Sequence, residues 1–174
     1  GADPVGGTGG TLVDPACPGD TSNAYQAAPG IVPGTIEAED FDPGGYFDAS
    51  AGNEGGAYRT DVDVDIKPLG SGFAIGWMTS GEWLEYTVDV AAEGDYRIVL
   101  RVGAVDAGRT LELSQCGNSL TGPVAIPQIA DWGDIATTTT EPVHLAAGLT
   151  VIRVTVGAND YIDFDSMTFE VETG

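Results

Sequence analysis

The sequence predicts an all-β fold in which short antiparallel strands form a sandwich or a barrel, and three observations support this prediction. Short segments that alternate apolar and polar residues recur along the chain, which is typical of half-buried strands. The 26 glycines and 10 prolines fall largely between these segments, where turns are expected. No amphipathic pattern of helical period continues for more than a turn or two. With 174 residues, 42% of them apolar, the chain is long enough for one sizeable core.

The predicted strands follow one another between Thr35 and Val171. Within the segment 82–90, alternate residues from Leu84 to Val90 share one apolar face, and the segment 96–102 has the same pattern. The short turn 91–95 between these two segments favours antiparallel pairing. Strand-like patterns occupy residues 35–41, 82–90, 96–102, 110–116, 152–156 and 167–171.

The chain divides into a predicted arm and a predicted module. Residues 1–30 are rich in glycine, proline, alanine and aspartate, and the run Gly6–Gly10 reads as a flexible linker. We therefore assign residues 1–30 to a linker or N-terminal arm and residues 31–174 to one folded module. No signal peptide is visible, so the sequence reads as a mature or excised segment.

The two cysteines, Cys17 and Cys116, leave two alternatives open. No C-x-x-C pair is present, so the cysteines do not indicate a redox or zinc site. In an exported protein they would be able to form one disulfide that ties the arm to the module. The alternative is two free thiols.

The charge of the chain excludes two classes of partner. The formal net charge is −21, from 27 acidic and 6 basic residues. Nucleic acids and anionic membranes are bound through patches of lysine and arginine, which this composition does not provide. No apolar run approaches the ~20 residues that a membrane-spanning helix requires. We therefore expect neither nucleic acid nor membrane as a partner.

Three carboxylates are placed to bind a cation. Glu37 and Glu39 are two residues apart, so on a strand they project from the same face and repel each other unless a cation or proton intervenes. Asp165 is in phase with the inward-facing Met167 of the last strand, where an unpaired charge is costly. First and last strands of a sandwich often lie close together, so these oxygens would suit Ca²⁺. The alternative is three solvated acids on edge strands.

Two aromatic residues in loop-like segments are candidates for stacking on a sugar. A sugar site needs flat aromatic rings together with directional hydrogen-bonding groups on loops. Tyr58 and Trp132 lie outside the alternating segments, and residues 159–163 add polar groups before the last strand. The alternative for each ring is packing against its own loop. Trp77 and Trp83 lie within strand patterns and are interpreted as mainly structural, although Trp83 is out of phase with Leu84.

An enzymatic function has little support in the sequence. The single histidine, His144, lies in a strand-like segment, and no nucleophile motif accompanies it. Acidic pairs are plentiful, so a glycosidase-type pair remains an alternative. We nevertheless expect a non-catalytic protein.

Taken in order, these segments resemble carbohydrate-binding module family 6. The resemblance extends from Thr35 to Val171. Its motifs are PGTIEAEDF at 33–41, AGNEGGAYRTD at 51–61, IGW at 75–77, GEWLEYTV at 81–88, LAAGL at 145–149 and DFDSMTF at 163–169.

The resemblance implies a jelly-roll β-sandwich with one structural Ca²⁺ and one sugar site in the loops at an edge. The metal carboxylates of the family correspond to Glu37, Glu39 and Asp165. A sugar ring would lie between Tyr58 and Trp132. Asp163 would bond its hydroxyls, although the family usually has asparagine there and a carboxylate only accepts hydrogen bonds. Further ligand contacts are expected from Asn53, Glu54 and Asn159. Some members also bind glycans on the concave face, where Trp83 is the candidate.

The function that the resemblance implies is polysaccharide binding. We expect a monomeric module, covalently linked to the catalytic domain of a secreted, extracellular glycoside hydrolase, that holds a glycan chain end. The expected ligand is a neutral β-glycan such as β-1,3-glucan (laminarin) or agarose. Two alternatives remain: a structural or adhesive sandwich without a ligand, and a small glycoside-active enzyme.

Overall fold

The computed structural model of the chain describes residues 23–174, which form two seven-stranded β-sheets packed into a sandwich. Two 3-10 helices, Tyr25–Ala27 and Ala38–Asp40, accompany the sheets. The first sheet contains β1 Gly30–Val32, β3 Tyr46–Phe47, β6 Trp83–Val90, β8 Thr110–Gln115, β9 Asn118–Ser119, β10 Val124–Ala125 and β13 Gly148–Val156. The second sheet contains β2 Gly34–Glu37, β4 Ile66–Leu69, β5 Gly72–Met78, β7 Gly94–Gly103, β11 Ala136–Thr139, β12 Val143–Leu145 and β14 Ile162–Val171.

The strand order confirms the predicted all-β antiparallel jelly-roll sandwich. The first sheet runs β1-β6-β13-β8-β10, with β3 beside β6 and β9 beside β8. The second runs β11-β7-β14-β5-β4, with β12 beside β7 and β2 beside β14. Within the described residues, the strand pairs are antiparallel except for β1 with β6. Strand β2, which ends at Glu37, lies directly against the last strand, β14, which carries Asp165.

The alternating residues of the predicted strands form the core between the sheets. Leu84, Tyr86 and Val88 are buried on the inner face of β6, and residues of β7 and β14 pack opposite them. Tyr86 meets Phe164 of the second sheet edge to face, with ring centroids 6.4 Å apart. Hydrophobic burial on both inner faces is the main stabilising contribution in such a sandwich. Within residues 23–174, no helix has the length and apolar character needed to cross a membrane.

The candidate first strand 35–41 is only partly correct. Strand β2 ends at Glu37, and residues Ala38–Asp40 turn into a 3-10 helix. The reason is that side chains from elsewhere bind the backbone carbonyls of this segment. The Tyr86 hydroxyl donates to Ala38 O at 2.7 Å, and Arg59 Nη1 donates to Glu39 O at 3.0 Å. Glu37 and Glu39 therefore do not share one strand face.

The boundary of the predicted arm falls near the start of the described residues. Residues 1–22, which include the linker-like glycine run and Cys17, lie outside them. Tyr25 contacts the module through Arg59, whose guanidinium carbon is 3.9 Å from the Tyr25 ring centroid. Cys116 is half-buried just after β8. The proposed pairing of Cys17 with Cys116 remains a prediction.

A buried carboxylate fixes the segment after the second 3-10 helix to the first sheet. Asp42 accepts hydrogen bonds from the Thr87 backbone N at 2.9 Å and from Thr87 Oγ1 at 2.6 Å. Burial raises the pKa of Asp42 to about 6, although these two hydrogen bonds favour the charged form. Desolvation therefore outweighs the hydrogen bonds, and the folded protein holds the Asp42 proton more tightly than the unfolded chain does.

We predict that Asp42 makes the fold less stable as the pH rises. Because its pKa is higher in the folded state, its stabilising contribution is complete below about pH 4 and is lost as the pH rises through 6. Between pH 5 and 7.5 the loss amounts to about 1.5 kcal/mol. Urea unfolding of the wild type and Asp42→Asn at several pH values measures this effect. The free-energy difference between the two proteins should move in favour of the variant as the pH rises; parallel curves would contradict the prediction.

Candidate functional site

Three exposed aromatic rings and an ion pair surround one cavity at the edge of the second sheet. This aromatic cavity, of about 390 Å³, is lined by Lys67, Trp77, Trp132, Tyr161 and Asp163. The three aromatic side chains are 47%, 37% and 48% exposed, in sequence order, although they are large and apolar. Its size lies within the range of small-molecule sites, and its walls are flat and apolar. The cavity is therefore shaped for a compact ligand with an apolar face.

The floor of the aromatic cavity is polar. Lys67 Nζ donates to the backbone oxygen of Trp132 at 2.8 Å and forms a close ion pair with Asp163 Oδ2. The same nitrogen lies 5.8 Å from the Trp77 ring centroid and 5.9 Å from the Trp132 ring centroid. Asp163 is only 2% exposed. The floor thus combines one cation and one carboxylate between two indole rings.

The Lys67 ammonium partly offsets the effect of burial on the Asp163 carboxyl. Burial raises the pKa of the Asp163 carboxyl, and the adjacent Lys67 ammonium opposes that shift through its hydrogen bond and its charge. An isolated buried carboxylate would be costly, whereas a paired and hydrogen-bonded one is tolerated. Lys67 therefore keeps a charged acceptor available at the bottom of the cavity.

A local irregularity of the sheet turns Trp77 outward. The register between β14 and β5 shifts between the pairs Ile162–Met78 and Phe164–Ile75. Trp77 lies inside this irregularity and has a positive φ of 50°. Such bulges change the direction of a side chain and are common beside functional sites. Gly76 leaves room for the floor, because a Cβ there would lie 3.2 Å from Lys67 Cδ and 3.4 Å from Asp163 Oδ1.

Trp132 is presented by a tight turn. Asp131 Oδ1 accepts a hydrogen bond from Gly133 N at 2.8 Å, and Asp134 N donates to Asp131 O at 3.0 Å. Aspartate side chains favour turns through this type of local hydrogen bond. Together with the bond from Lys67 to the Trp132 carbonyl, the turn holds the indole at the wall of the cavity.

Tyr58 and Trp132 line different cavities in the structure, although Gly133, next to Trp132, also lines the cavity of Tyr58. The Tyr58 hydroxyl donates to Asp40 Oδ1 at 2.7 Å, and its ring lies 4.9 Å from the Phe73 ring. Burial is the main cause that raises the Tyr58 pKa, and the hydrogen bond to Asp40 contributes. Tyr58 lines a second, acidic cavity, whereas Trp77 shares the aromatic cavity with Trp132. Trp77, which was interpreted as mainly structural, is thus exposed at a cavity and lies outside the core.

Two of the other predicted ligand residues, Asn53 and Asn159, use their side-chain amides in hydrogen bonds elsewhere, and the third, Glu54, is exposed. Asn53 Nδ2 donates to Ala57 O at 2.9 Å and to Arg59 O at 3.0 Å, while its Oδ1 accepts from Gly56 N and Ile66 N. Its amide is thus used to shape the 53–59 loop. Asn159 Nδ2 donates to Gly108 O at 3.1 Å, and the backbone N of Glu54 donates to Asp65 Oδ1. None of these three lines the aromatic cavity.

The expected metal carboxylates lie at the acidic cavity. This cavity, of about 660 Å³, is lined by a set that includes Glu37, Glu39, Tyr58, Arg101 and Asp165. Strand β2 brings Glu37 opposite Ser166 of β14, next to Asp165. Arg101 Nε donates to Asp165 Oδ2 at 2.6 Å, so one of the carboxylates already has a cationic partner.

The acidic cavity has the donor chemistry of a hard-cation site, but its side chains do not converge on one point. Glu39 is 6% exposed, and its Oε2 is buried without a hydrogen-bond partner among the described residues. Burial raises the pKa of Glu39 to about 7, and the nearby Glu37 contributes. Within residues 23–174, no group of three or more His, Cys, Asp or Glu side chains is arranged as a metal cluster. The unpartnered oxygen is the feature that fits Ca²⁺, which prefers carboxylate and carbonyl oxygens.

Trp83 lies on the outer face of the first sheet. Its neighbours Leu84 and Tyr86 are buried in the core, whereas the Trp83 ring is half-buried beneath the Arg153 guanidinium, 3.9 Å from the ring centroid. Arg153 also donates to Glu85 Oε1 at 2.6 Å. Trp83 therefore projects away from the core, as expected for a residue out of phase with the buried Leu84 and Tyr86.

Comparisons with solved structures place the same fold in several carbohydrate-binding modules. The C-terminal family 6 module of LamC, a marine laminarinase from Zobellia galactanivorans, is 18% identical, with a TM-score of 0.60 over 79% of this chain and 98% of that one. A family 6 module of lichenase 5A from Cellvibrio mixtus, solved with cellotriose, is 25% identical, with a TM-score of 0.58 over 80% and 97%. A β-1,3-glucan-binding family 6 module from Bacillus halodurans is 20% identical, with a TM-score of 0.62 over 83% and 100%.

Comparison with protein families shows which family the chain belongs to. A comparison with curated proteins found no match. The sequence profile of the family 6 carbohydrate-binding module matches residues 49–171, which is well over half of the chain and runs from the loop before Tyr58 to the end of β14. Together with the jelly-roll sandwich, this match shows that the chain belongs to carbohydrate-binding module family 6.

Proposed function

We propose that this chain is a non-catalytic polysaccharide-binding module that takes one sugar ring into the aromatic cavity. The observation that carries the proposal is the grouping of Trp77, Trp132 and Tyr161 around the Lys67–Asp163 pair. Flat rings stack on the apolar faces of a pyranose, and the polar floor is placed for its hydroxyls. The expected pair of Tyr58 and Trp132 is replaced in this proposal by Trp77 and Trp132.

The proposed ligand is a neutral β-glycan, with β-1,3-glucan first and agarose second. Two neighbours in structure support the first choice, since one comes from a laminarinase and another is described as β-1,3-glucan-binding. The net charge of −21 disfavours a polyanionic glycan. A site that clamps one ring between two indole walls favours a chain end.

The proposed context is a secreted glycoside hydrolase in which the module acts as a monomeric accessory domain. Polysaccharides are extracellular, and the LamC and lichenase modules belong to enzymes. Attachment raises the effective concentration of a catalytic domain at the polymer. His144, the single histidine, is exposed at the surface, where its ring nitrogens contact the carboxylates of Asp95 and Glu93.

Calorimetric titration tests the proposed function with laminarihexaose and neoagarohexaose as probes. We expect a Kd between about 1 µM and 1 mM for at least one probe, or about −8 to −4 kcal/mol. A reducing-sugar assay on laminarin and agarose should detect no release. Absence of binding to both probes would favour a structural or adhesive sandwich, and release of reducing sugar would identify an enzyme.

We further propose that Glu37, Glu39 and Asp165 hold a structural Ca²⁺ together with backbone carbonyl oxygens. The supporting observation is the buried, unpartnered Oε2 of Glu39. A bound cation would satisfy this oxygen and offset the repulsion between the carboxylates.

Removal of calcium should lower the melting temperature by about 5–10 °C. Saturation at 100 times Kd stabilises a fold by about 2.7 kcal/mol, and each kcal/mol changes the melting temperature of a domain of this size by about 2–4 °C. Calorimetry after chelation, and again after addition of Ca²⁺ or Mg²⁺, measures the shift. Glu39→Gln is the matched control and should show no calcium response. Identical melting of stripped and calcium-loaded wild type would exclude the site.

A further inference from the structure

The Lys67 ammonium has one hydrogen-bond donor that the described protein does not use. A lysine ammonium carries three N–H groups. Two of them are accounted for by the Trp132 carbonyl and by Asp163 Oδ2. The third has no partner within residues 23–174, and the nitrogen lies about equally far from the two indole rings, at 5.8 and 5.9 Å. Because Lys67 lines the aromatic cavity, the remaining donor is available to a ligand that enters it.

Asp163 complements this donor with an acceptor. Its ion pair uses Oδ2, and within the described residues no hydrogen bond involves Oδ1. Oδ1 lies beside Gly76, where the absence of a side chain keeps the approach to the oxygen open. Because Asp163 is almost completely buried, a ligand group that bonds Oδ1 must enter the aromatic cavity. The floor thus offers one donor and one acceptor on neighbouring side chains.

We propose that Lys67 and Asp163 act as one recognition unit that binds two adjacent free hydroxyls of a neutral sugar ring. One hydroxyl accepts a hydrogen bond from Lys67 Nζ, and its neighbour donates to Asp163 Oδ1. This inference rests on the proposed function and makes Lys67 a residue that determines specificity. The Asp163 carboxylate can only accept hydrogen bonds from sugar hydroxyls. Lys67 adds the donor that the carboxylate lacks.

The recognition unit specifies the chemical class of the ligand. A hydroxyl that carries a glycosidic bond or a methyl group has no proton to donate, so a ring substituted at the Asp163 position is rejected. A sulfate or carboxylate at that position would meet the buried carboxylate and be repelled. The unit therefore selects an unsubstituted vicinal diol, which a terminal ring of a neutral glycan provides.

A cycle of three variants tests the recognition unit by calorimetric titration with laminarihexaose and agarohexaose, whose terminal rings both carry a vicinal diol. Lys67→Met removes the donor and should weaken binding at least tenfold. Asp163→Asn leaves Lys67 facing an amide oxygen and removes the free acceptor, with a similar loss. In the double variant the amide of residue 163 alone supplies both a donor and an acceptor. We expect it to regain affinity to within about threefold of the wild type, a non-additive result.

A purely structural ion pair gives the opposite pattern, since the double variant would then bind no better than Lys67→Met. That result, or unchanged affinity of Lys67→Met, would overturn the inference. The melting temperature of each variant shows whether it folds. Trp132→Ala separates the two proposals: wild-type affinity in Trp132→Ala refutes the aromatic cavity as the site, whereas loss of binding there with unchanged Lys67→Met refutes only the recognition unit.

A measurement on the wild-type protein avoids any change to the ion pair. Laminaribiose and agarobiose, each with derivatives that lack a single hydroxyl of the non-reducing ring, are titrated by NMR. Two neighbouring deoxy positions should each lose at least tenfold in affinity, and the other positions should lose less. An even loss at every position, or a loss at two positions that are not adjacent, would contradict the inference.

Discussion

Replacement of Trp77 or Trp132 by alanine is expected to abolish retention of the module by laminarin or agarose in affinity gels. Each indole forms an exposed wall of the aromatic cavity, and a bound sugar would bury much of it. Burial of one aromatic side chain contributes about 2 kcal/mol, so each replacement should weaken binding about 30-fold. Calorimetric titration measures the loss. Because both rings are already exposed, the melting temperature should change by only a few degrees.

Two control variants distinguish the aromatic cavity from other sites. Trp83→Ala removes the remaining tryptophan, which lies under Arg153 on the outer face of the first sheet, and should leave retention unchanged. Tyr58→Ala removes the ring at the acidic cavity without altering the aromatic cavity. If Tyr58→Ala lost binding and Trp77→Ala kept it, the sugar would lie between Tyr58 and Trp132 as the sequence resemblance implied.

The strands could be predicted from the sequence because alternation is a local property. The inner face of β6 has a period of two, and its apolar residues are those that the core buries. The proximity of Glu37 to Asp165 also followed from the pairing of first and last strands. The burial of Glu39 did not follow, because it depends on a 3-10 helix whose carbonyls are bound by distant side chains.

The position of Trp77 could not be predicted from its pattern. The run from Phe73 to Met78 reads as a buried strand, and a strand interior is the ordinary environment for a tryptophan. The register shift against β14 and the positive φ of Trp77 turn it outward, and both depend on a strand more than 80 residues later in the chain. The positively charged partner of Asp163 was missed for the same reason, because Lys67 approaches it only after β4 and β14 enter one sheet.

Arg59→Ala should cause the largest loss of stability of any single replacement considered for this chain. Arg59 is 7% exposed, and its guanidinium lies between the Tyr25 and Phe41 rings, 3.9 and 4.0 Å from their centroids. Its Nη1 donates to Glu39 O at 3.0 Å and to Phe41 O at 2.6 Å. Burial lowers the Arg59 pKa, and nearby acidic and phenolic groups oppose this effect.

The expected decrease in the free energy of unfolding is about 3–4 kcal/mol. Each hydrogen bond from a charged group contributes about 1.5–3 kcal/mol, and the stacked rings add about 1 kcal/mol, against the cost of burying the cation. For a domain of this size the melting temperature should fall by roughly 10 °C. Arg59→Lys keeps the charge but loses the planar group between the rings, so it should lose about half as much.

Urea unfolding of both variants measures this effect, with Arg153→Ala as the matched control. Arg153 also covers an aromatic ring and pairs with a carboxylate, but it lies at the surface and should contribute less than about 1 kcal/mol. The two replacements should differ because of burial. Only the replacement of Arg59 leaves two backbone carbonyls inside the protein without this hydrogen-bond donor. Equal losses from the two replacements would show that the buried bonds of Arg59 to the segment 37–41 add no stability, and would contradict the prediction.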